Sequence, residues 1–429
     1  MYFHRLKRKV FFRRFFMTEY LFSSLKKSAI TNSALVSFRY VVIAGIGLAL
    51  SVGFAHFSTK QVFGQYQFIL SVFALFSVFS LPGLNIAALR SVSQGKFGSV
   101  TQAVRLSFFC STLAVPFLVG YGIYRMYVVD MESSTIGWVF VFFGLLFPFL
   151  NAPNTWYAHY EGRLMFLPVV IRTISTSACM AALLFLSLWN QQGIFILVSV
   201  WFFTNAVSGW FFYGEVRREE LESRNELHSL DIPYGLKVSA QKFFVGLTEN
   251  IPVMAISFFL GFEAVANFQV ASVFIGAVSG LLGALAATAL PVIFSNITSR
   301  HKNLLSYSVL SGILASIGYA ILVETLFLLA YGNRYQESFD LARLLILLPL
   351  LVSIRIFLVN IFTARGENIH IISVYAVANV IAIVFFVTTF GGMSFASSAA
   401  AYLYILNLGL LLPLAGYYFL SASRNTDSI

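Results

Sequence analysis

The sequence has little charge and few of the residues that build soluble catalytic sites. Of its 429 residues, 10% are charged and 59% are hydrophobic, and it contains 2 cysteines. In soluble globular proteins about a quarter of the residues are charged. The low charged fraction and the mean hydropathy of +0.82 therefore exclude a protein of that class. Cys110 and Cys179 both fall in apolar runs, where a thiol behaves as a small hydrophobic group rather than as half of a disulfide or metal site.

Motifs of common enzyme classes are also missing. The sequence contains no GxSxG, no Walker A lysine motif, no HExxH and no CxxC, which argues against hydrolase, nucleotide-binding and zinc chemistry. We therefore predict that the protein is not an enzyme and binds no cofactor. A membrane-embedded glycan polymerase is a less favoured alternative, because the short connections leave no room for a catalytic loop. A passive channel is disfavoured too, because the spans lack rings of pore-lining charge.

Long apolar runs dominate what is present. About twelve of them approach the ~20 residues that a helix needs to cross a bilayer. Each run should be helical, because hydrocarbon offers no water to satisfy exposed amides. We predict an all-α polytopic membrane protein with two six-helix lobes related by a pseudo-twofold axis. The predicted spans are 36–57, 66–90, 103–125, 136–157, 167–188, 193–214, 236–260, 265–294, 304–330, 342–364, 369–390 and 395–420.

Lysine and arginine mark one side of the membrane. They are concentrated before the first span and in every second connection after it, which predicts that both termini are cytoplasmic. This bias accounts for most of the net charge of +11, so no nucleic-acid partner is expected. The residues concerned are Arg5, Lys7, Arg8, Lys9, Arg13, Arg14, Lys26, Lys27, Lys96, Arg163, Arg217, Arg218, Arg224, Arg300, Lys302, Arg365 and Arg424.

The only long polar insert divides the chain into similar halves. VFGQYQFILSV in the first half matches AVANFQVASVF in the second, and each is followed by a proline, Pro82 or Pro291, and then a basic turn. Parallel repeats of this kind bind substrate between their halves. The predicted divisions are a basic segment 1–32, an N-lobe 33–214, a polar linker 215–235 with a solvated helical charge pattern, a C-lobe 236–420 and a tail 421–429.

The stretch FGQYQFILSVFALFSVFSLPGLNIAALRSVSQGK (63–96) resembles the second-span signature of Wzx-type polysaccharide flippases. These belong to the multidrug/oligosaccharidyl-lipid/polysaccharide exporter superfamily. The similarity is carried by Gly64, Tyr66, the PGLN element 82–85 and the Arg90–Ser91 turn. It implies two six-helix lobes in a bacterial inner membrane, which rock to give alternating access.

The cargo that this resemblance implies is an undecaprenyl-pyrophosphate-linked oligosaccharide for lipopolysaccharide O-antigen or capsule synthesis. Membrane lipids and polysaccharide polymerase machinery are the expected partners. The alternative is a drug/cation antiporter of the same superfamily, which would favour an acidic cavity.

Four basic residues inside the spans are candidates for binding the pyrophosphate: Arg39, Lys242, Arg172 and Arg355. Guanidinium groups match phosphate oxygens bidentately. Arg39 and Lys242 occupy nearly the same repeat position, so we expect them on opposing walls of one cavity. Counted along a continuous tenth span, Arg355 lies roughly 20 Å deep. The alternative is that these long side chains extend to the headgroups.

Glu249 is the acidic candidate for ion coupling, because it lies in mid-span beside Asn250 and shortly before Pro252. A proline frees backbone carbonyls that help to ligate a cation, so a proton or sodium ion is the expected coupling ion. The alternative is a structural ion pair with Lys242 or Arg39. Span 1 carries no acid, which departs from many relatives.

Three further residues complete the predicted site. Glu324 is predicted near the exit vestibule, as a second ion-coupling candidate. Asn85 and Asn267 are predicted to contact substrate, although hydrogen bonding between helices is the commoner role of such residues.

Overall fold

In the computed structural model, the described residues are 34–96, 98–129, 135–222, 230–295, 301–364, 368–389 and 394–426. All regular secondary structure within these ranges is helical. The predicted basic segment 1–32 lies outside them. The helices are α1 (Ala34–Phe57), α2 (Lys60–Phe76), α3 (Gly83–Ser93), α4 (Ser99–Ser111), α5 (Val115–Tyr124), α6 (Thr135–Leu146), α7 (Pro148–Asn151), α8 (Trp156–Gly162), α9 (Phe166–Trp189), α10 (Ile194–Glu222), α11 (Ile232–Leu260), α12 (Phe262–Ser295), α13 (His301–Tyr331), α14 (Gln336–Leu344), α15 (Leu348–Ala364), α16 (Asn368–Thr389) and α17 (Phe395–Thr426).

The described helices account for the predicted spans. Ten helical segments are long and apolar enough to cross a membrane, and the number reaches 12 when each of two bent pairs is taken as one span. The bent pairs are α6 with α7 and α8, at 58°, and the segment from Asn333 through α14 with α15, at 55°. The predicted class, an all-α polytopic membrane protein, is confirmed.

Three predicted spans are interrupted where the sequence suggested continuous helices. The second is broken at Leu81, which has a φ of 51°, and α3 follows Pro82. The fourth bends just before Pro148, the first residue of α7. The tenth bends before Pro349, whose missing N–H removes the hydrogen bond that would continue the helix. Each break changes the direction of the side chains that follow it.

The helices alternate between two faces of the bundle. We call the basic face the end where α1 begins and where Lys96, Arg163 and the polar linker lie. The opposite face is the end where α1 finishes at Phe57 and where α2, α10 and α12 begin. One apolar cluster extends through both lobes, and a second lies at the basic face of the N-lobe.

Two glycines of the second span allow the lobes to approach closely. A Cβ on Gly64 would meet the carbonyl oxygen of Phe262 at the opposite face. A Cβ on Gly83 would meet the carbonyl oxygen of Gly235 and the backbone of Ser239 at the basic face. Accordingly, α2 packs against α11 and α12, and α3 packs against α11.

The two described ends of the polar linker each form hydrogen bonds with α4, while Arg217, Arg218 and Glu222 are exposed. Glu220 accepts hydrogen bonds from the Gly98 amide at 3.1 Å, the Thr101 amide at 3.1 Å and the Thr101 hydroxyl at 2.7 Å. Beyond the undescribed centre of the linker, the Leu230 amide donates to Gln102 at 2.9 Å. The sequence pattern could not reveal the free amides at the start of α4 that the Glu220 carboxylate satisfies.

Candidate functional site

Two cavities within the bundle share one wall. The interlobe cavity, of about 480 Å³, lies between α1, α2 and α12, and polar groups on its walls include Tyr40, Gln67 and Gln269. The C-lobe cavity, of about 660 Å³, lies between α11, α12, α15, α16 and α17. Both volumes fall in the range of about 300–1,000 Å³ that is typical of ligand pockets. Gln269, Ser272, Gly276 and Gly280 of α12 line both cavities, so only small or neutral side chains separate them.

The C-lobe cavity contains an acid and a base on facing helices. Glu249 of α11 and Arg355 of α15 both line it, and their charges are close enough to interact. Within the described part of the chain, neither side chain forms an ion pair with another residue. Because α15 begins only at Leu348, Arg355 lies about 10 Å along it, and its depth in the membrane stays a prediction.

Sequence reasoning missed two further groups in the C-lobe cavity. Tyr375 of α16 and Asn407 of α17 both line it. Asn407 donates to the Leu403 carbonyl at 2.8 Å, and its buried side-chain oxygen has no hydrogen-bond partner. Its position in an apolar span was the available signal, but the same signal marks many residues that only join helices.

Arg39 and Lys242 are held at separate places and do not line one cavity together. Arg39 of α1 forms an ion pair with Glu161 of α8 at 3.1 Å, and these side chains are only 16% and 17% exposed. The Lys242 ammonium of α11 donates to the carbonyl oxygen of Pro82 at 3.2 Å. Both bases therefore join helices, and Glu249 faces Arg355 rather than either of them. A direct role of Arg39 or Lys242 in substrate binding stays a prediction.

Arg172 lies among aromatic side chains at the basic face of the N-lobe. It pairs with Glu215 of α10 at 2.6 Å. Its guanidinium lies 4.6 Å from the ring centre of Tyr160 and 5.2 Å from that of Phe212. This arrangement joins α8, α9 and α10 outside both cavities, although a substrate contact in another conformation stays a prediction.

The two predicted asparagines also connect helices. Asn85 of α3 donates to the Tyr157 hydroxyl at 3.2 Å and accepts from the Thr155 hydroxyl at 2.7 Å. Asn267 of α12 donates to Glu337 at 2.6 Å. Neither is among the residues that line the two cavities.

Glu324 forms an ion pair with Arg343 at 2.7 Å, where both side chains are about half exposed. The pair borders a recess of about 580 Å³ with Glu337 and Asp340, at the opposite face. This is the side on which the sequence predicted it. Its role in ion coupling stays a prediction. Within the described ranges, no group of three or more His, Cys, Asp or Glu side chains is arranged to hold a metal ion.

Comparisons with known proteins identify the fold but not a family. No family model and no curated protein sequence matches the chain. The Vibrio cholerae MATE transporter VcmN matches with a TM-score of 0.60 and 13% identity, over 95% of this chain and 98% of that one. The eukaryotic MATE transporter AtDTX14 gives 0.64 and 9%, over 91% and 96%. The lipid II flippase MurJ, in an inward closed conformation, gives 0.62 and 12%, over 90% and 87%. The chain therefore has the two-lobed fold of these transporters.

Proposed function

We propose that the protein is an alternating-access transporter that flips an undecaprenyl-pyrophosphate-linked oligosaccharide across the bacterial inner membrane. The observation that carries this proposal is that an acid, Glu249, and a base, Arg355, line the same C-lobe cavity. An ionisable side chain within a membrane span is costly unless it meets a partner, water or a ligand. Two such groups lining one cavity are best explained by a charged ligand and its coupling ion.

Arg355 would hold the phosphate end of the cargo. Its guanidinium fork matches phosphate oxygens, and a cavity with little water strengthens the attraction. Tyr375, Asn407 and Gln269 supply hydrogen-bonding groups for sugar hydroxyls beside it. Because only small or neutral side chains of α12 separate the two cavities, a long headgroup would have room to extend into the interlobe cavity. Few residues of α1 are buried there, so the lipid tail would remain in the bilayer beside it.

Glu249 would couple transport to a proton or sodium ion. In the empty carrier, the nearby positive charge of Arg355 would offset part of the cost of burying the carboxylate of Glu249. When an anionic headgroup engages Arg355, Glu249 loses part of that compensation and becomes a better site for a cation. Substrate and cation would therefore promote each other's binding, and release of one would favour release of the other.

Membrane orientation follows from the positive-inside rule. The basic face would be cytoplasmic, with both termini on that side. The opposite face would then be the release side, where polymerase machinery would take the flipped unit.

The test is complementation of a strain that lacks its own glycan-unit flippase, scored as surface polysaccharide. Wild type should restore surface polysaccharide. Arg355→Ala should restore less, because its apparent affinity for the cargo should fall about tenfold to a hundredfold. A hydrogen bond to a charged group contributes about 1.5–3 kcal/mol. Arg355→Lys should retain part of the activity, and Glu249→Gln should abolish uphill transport. Lys237→Ala, which removes an exposed base from the same helix as Glu249, is the charge-matched control.

Two results would contradict the proposal. Full activity of well-expressed Arg355→Ala would remove this residue from substrate binding. Failure of wild type with several types of glycan would exclude the cargo class.

A drug/cation antiporter is the second candidate, favoured by the acidic side chain of Glu249 in the cavity. In this case wild type should protect a strain deleted for its drug exporters, and Glu249→Gln should remove that protection. Arg355→Ala should leave drug resistance intact, which separates this function from glycan flipping.

A further inference from the structure

At the opposite face, the ends of two helices from different lobes meet. Helix α1 of the N-lobe ends at Phe57, and α13 of the C-lobe ends at Tyr331. Arg334 of the C-lobe donates to the carbonyl oxygens of Ala55 and Ser58 at the end of α1, both at 3.2 Å. In the other direction, His56 of the N-lobe places its Nε2 2.8 Å from the carbonyl oxygen of Ala330 in the last turn of α13, as the donor.

These contacts cap helices across the lobe boundary. The last four carbonyls of an α-helix have no partner within the helix, and together they form the negative end of its dipole. A basic side chain at such an end is favourable because it satisfies a carbonyl and opposes the partial negative charge. Here each lobe supplies the basic side chain for the other lobe's helix.

Two neighbouring contacts also join the lobes. The Tyr331 hydroxyl donates to Ser51 at 2.9 Å, with both residues buried. The Lys60 ammonium lies 4.9 Å from the ring centre of Tyr335. These contacts lie at the opposite face beside the interlobe cavity, which Ser51 also lines.

We propose that His56 and Arg334 form a capping latch that holds the opposite face closed and sets how often the carrier opens there. The inference rests on the proposed alternating-access function. Opening would separate the lobes and leave both helix ends uncapped. Because His56 and Arg334 are exposed, water would replace the lost bonds, so the latch would be releasable in a way that a buried ion pair is not.

The latch is tested by labelling a cysteine in the interlobe cavity, which a reagent from the opposite face reaches only when that face opens. In full-length protein with Cys110→Ala and Cys179→Ala, Ser272→Cys introduces a single thiol on the shared wall of α12. Membranes are treated with a membrane-impermeant maleimide from the opposite face, and labelling of Asn190→Cys, in an exposed turn there, identifies that side.

The labelling rate at position 272 should rise about fivefold to tenfold in Arg334→Ala and in His56→Ala, which corresponds to the loss of a hydrogen bond that caps a helix end. His56→Gln keeps an N–H donor and should label at close to the wild-type rate. Arg343→Ala is the matched control, because it removes a basic residue at the same face whose partner, Glu324, belongs to the same lobe. It should not change the rate.

The latch is wrong if Arg334→Ala and His56→Ala label like wild type, or if Arg343→Ala raises the rate as much as they do. It is also wrong if His56→Gln behaves like His56→Ala, since the donor would then be irrelevant. These outcomes are independent of the cargo. Faster labelling together with failed glycan complementation would reject the substrate and keep the latch, and the reverse pattern would reject the latch alone.

Discussion

Arg39 is the base whose predicted role and observed contacts differ most, and its pair with Glu161 can be tested directly. The side chains are 16% and 17% exposed, so each has lost most of its water. Breaking a buried pair costs about 3–5 kcal/mol, because one charge is left uncompensated. The remaining exposure of this pair lowers the expected cost of Arg39→Ala to about 2–3 kcal/mol.

A double-mutant cycle measures whether this cost belongs to the pair. Arg39→Ala and Glu161→Ala should each lower the midpoint of thermal unfolding in detergent. The double variant should be less destabilised than the sum of the two, with a coupling of about 1–3 kcal/mol. Additive losses would show that the two charges do not stabilise each other.

Exchanging the two charges then distinguishes a structural role of Arg39 from a role in substrate binding. The variant Arg39→Glu with Glu161→Arg keeps an ion pair between α1 and α8 but reverses its direction. If the pair only joins the helices, the exchange should restore both stability and transport. A stable exchanged variant that does not transport would refute this reasoning and return Arg39 to the substrate site.

Two further predictions concern the helix contacts that hold the bundle together. Gly83→Ala should destabilise the protein by about 1–3 kcal/mol, because its methyl group would overlap the Gly235 carbonyl; Gly120→Ala, with open space around it, should lower the thermal midpoint far less. Glu220→Ala should cost about 1–2 kcal/mol and speed hydrogen exchange of the amides at the start of α4, whereas exposed Glu222→Ala should leave that exchange unchanged.

The long apolar helices of the described residues were predictable from the sequence, but the breaks within the predicted spans were not. An apolar run of suitable length indicates a span whatever path the backbone takes inside it. Proline does not settle that path, because Pro252 and Pro413 lie inside continuous helices, whereas the helix breaks next to Pro82 and Pro148. Whether a proline breaks its helix depends on whether neighbouring helices and solvent satisfy the freed backbone groups. The residues next to the proline in the sequence do not reveal those neighbours.

The same limit explains which site residues were predictable. Glu249 and Arg355 could be chosen because an ionisable group in mid-span needs a special environment wherever its helix lies. The partners of Arg39 and Lys242 could not, because Glu161 and Pro82 are 122 and 160 residues away in the chain. A repeat position fixes where a residue lies along a helix but not which neighbour it meets.

The segment that resembles polysaccharide flippases builds the lobe interface rather than the cavity wall with Arg355. Gly64 permits contact with Phe262 at the opposite face, and Gly83 permits contact with Gly235 at the basic face. Pro82 accepts the hydrogen bond from Lys242 between them. In the proposed alternating-access carrier, such a segment would determine how the two lobes meet as they rock, and carriers of different cargo would be able to share it. Selectivity should therefore depend on the side chains of α11 and α15 to α17 around the C-lobe cavity, where exchanges between carriers should change the cargo without disturbing the fold.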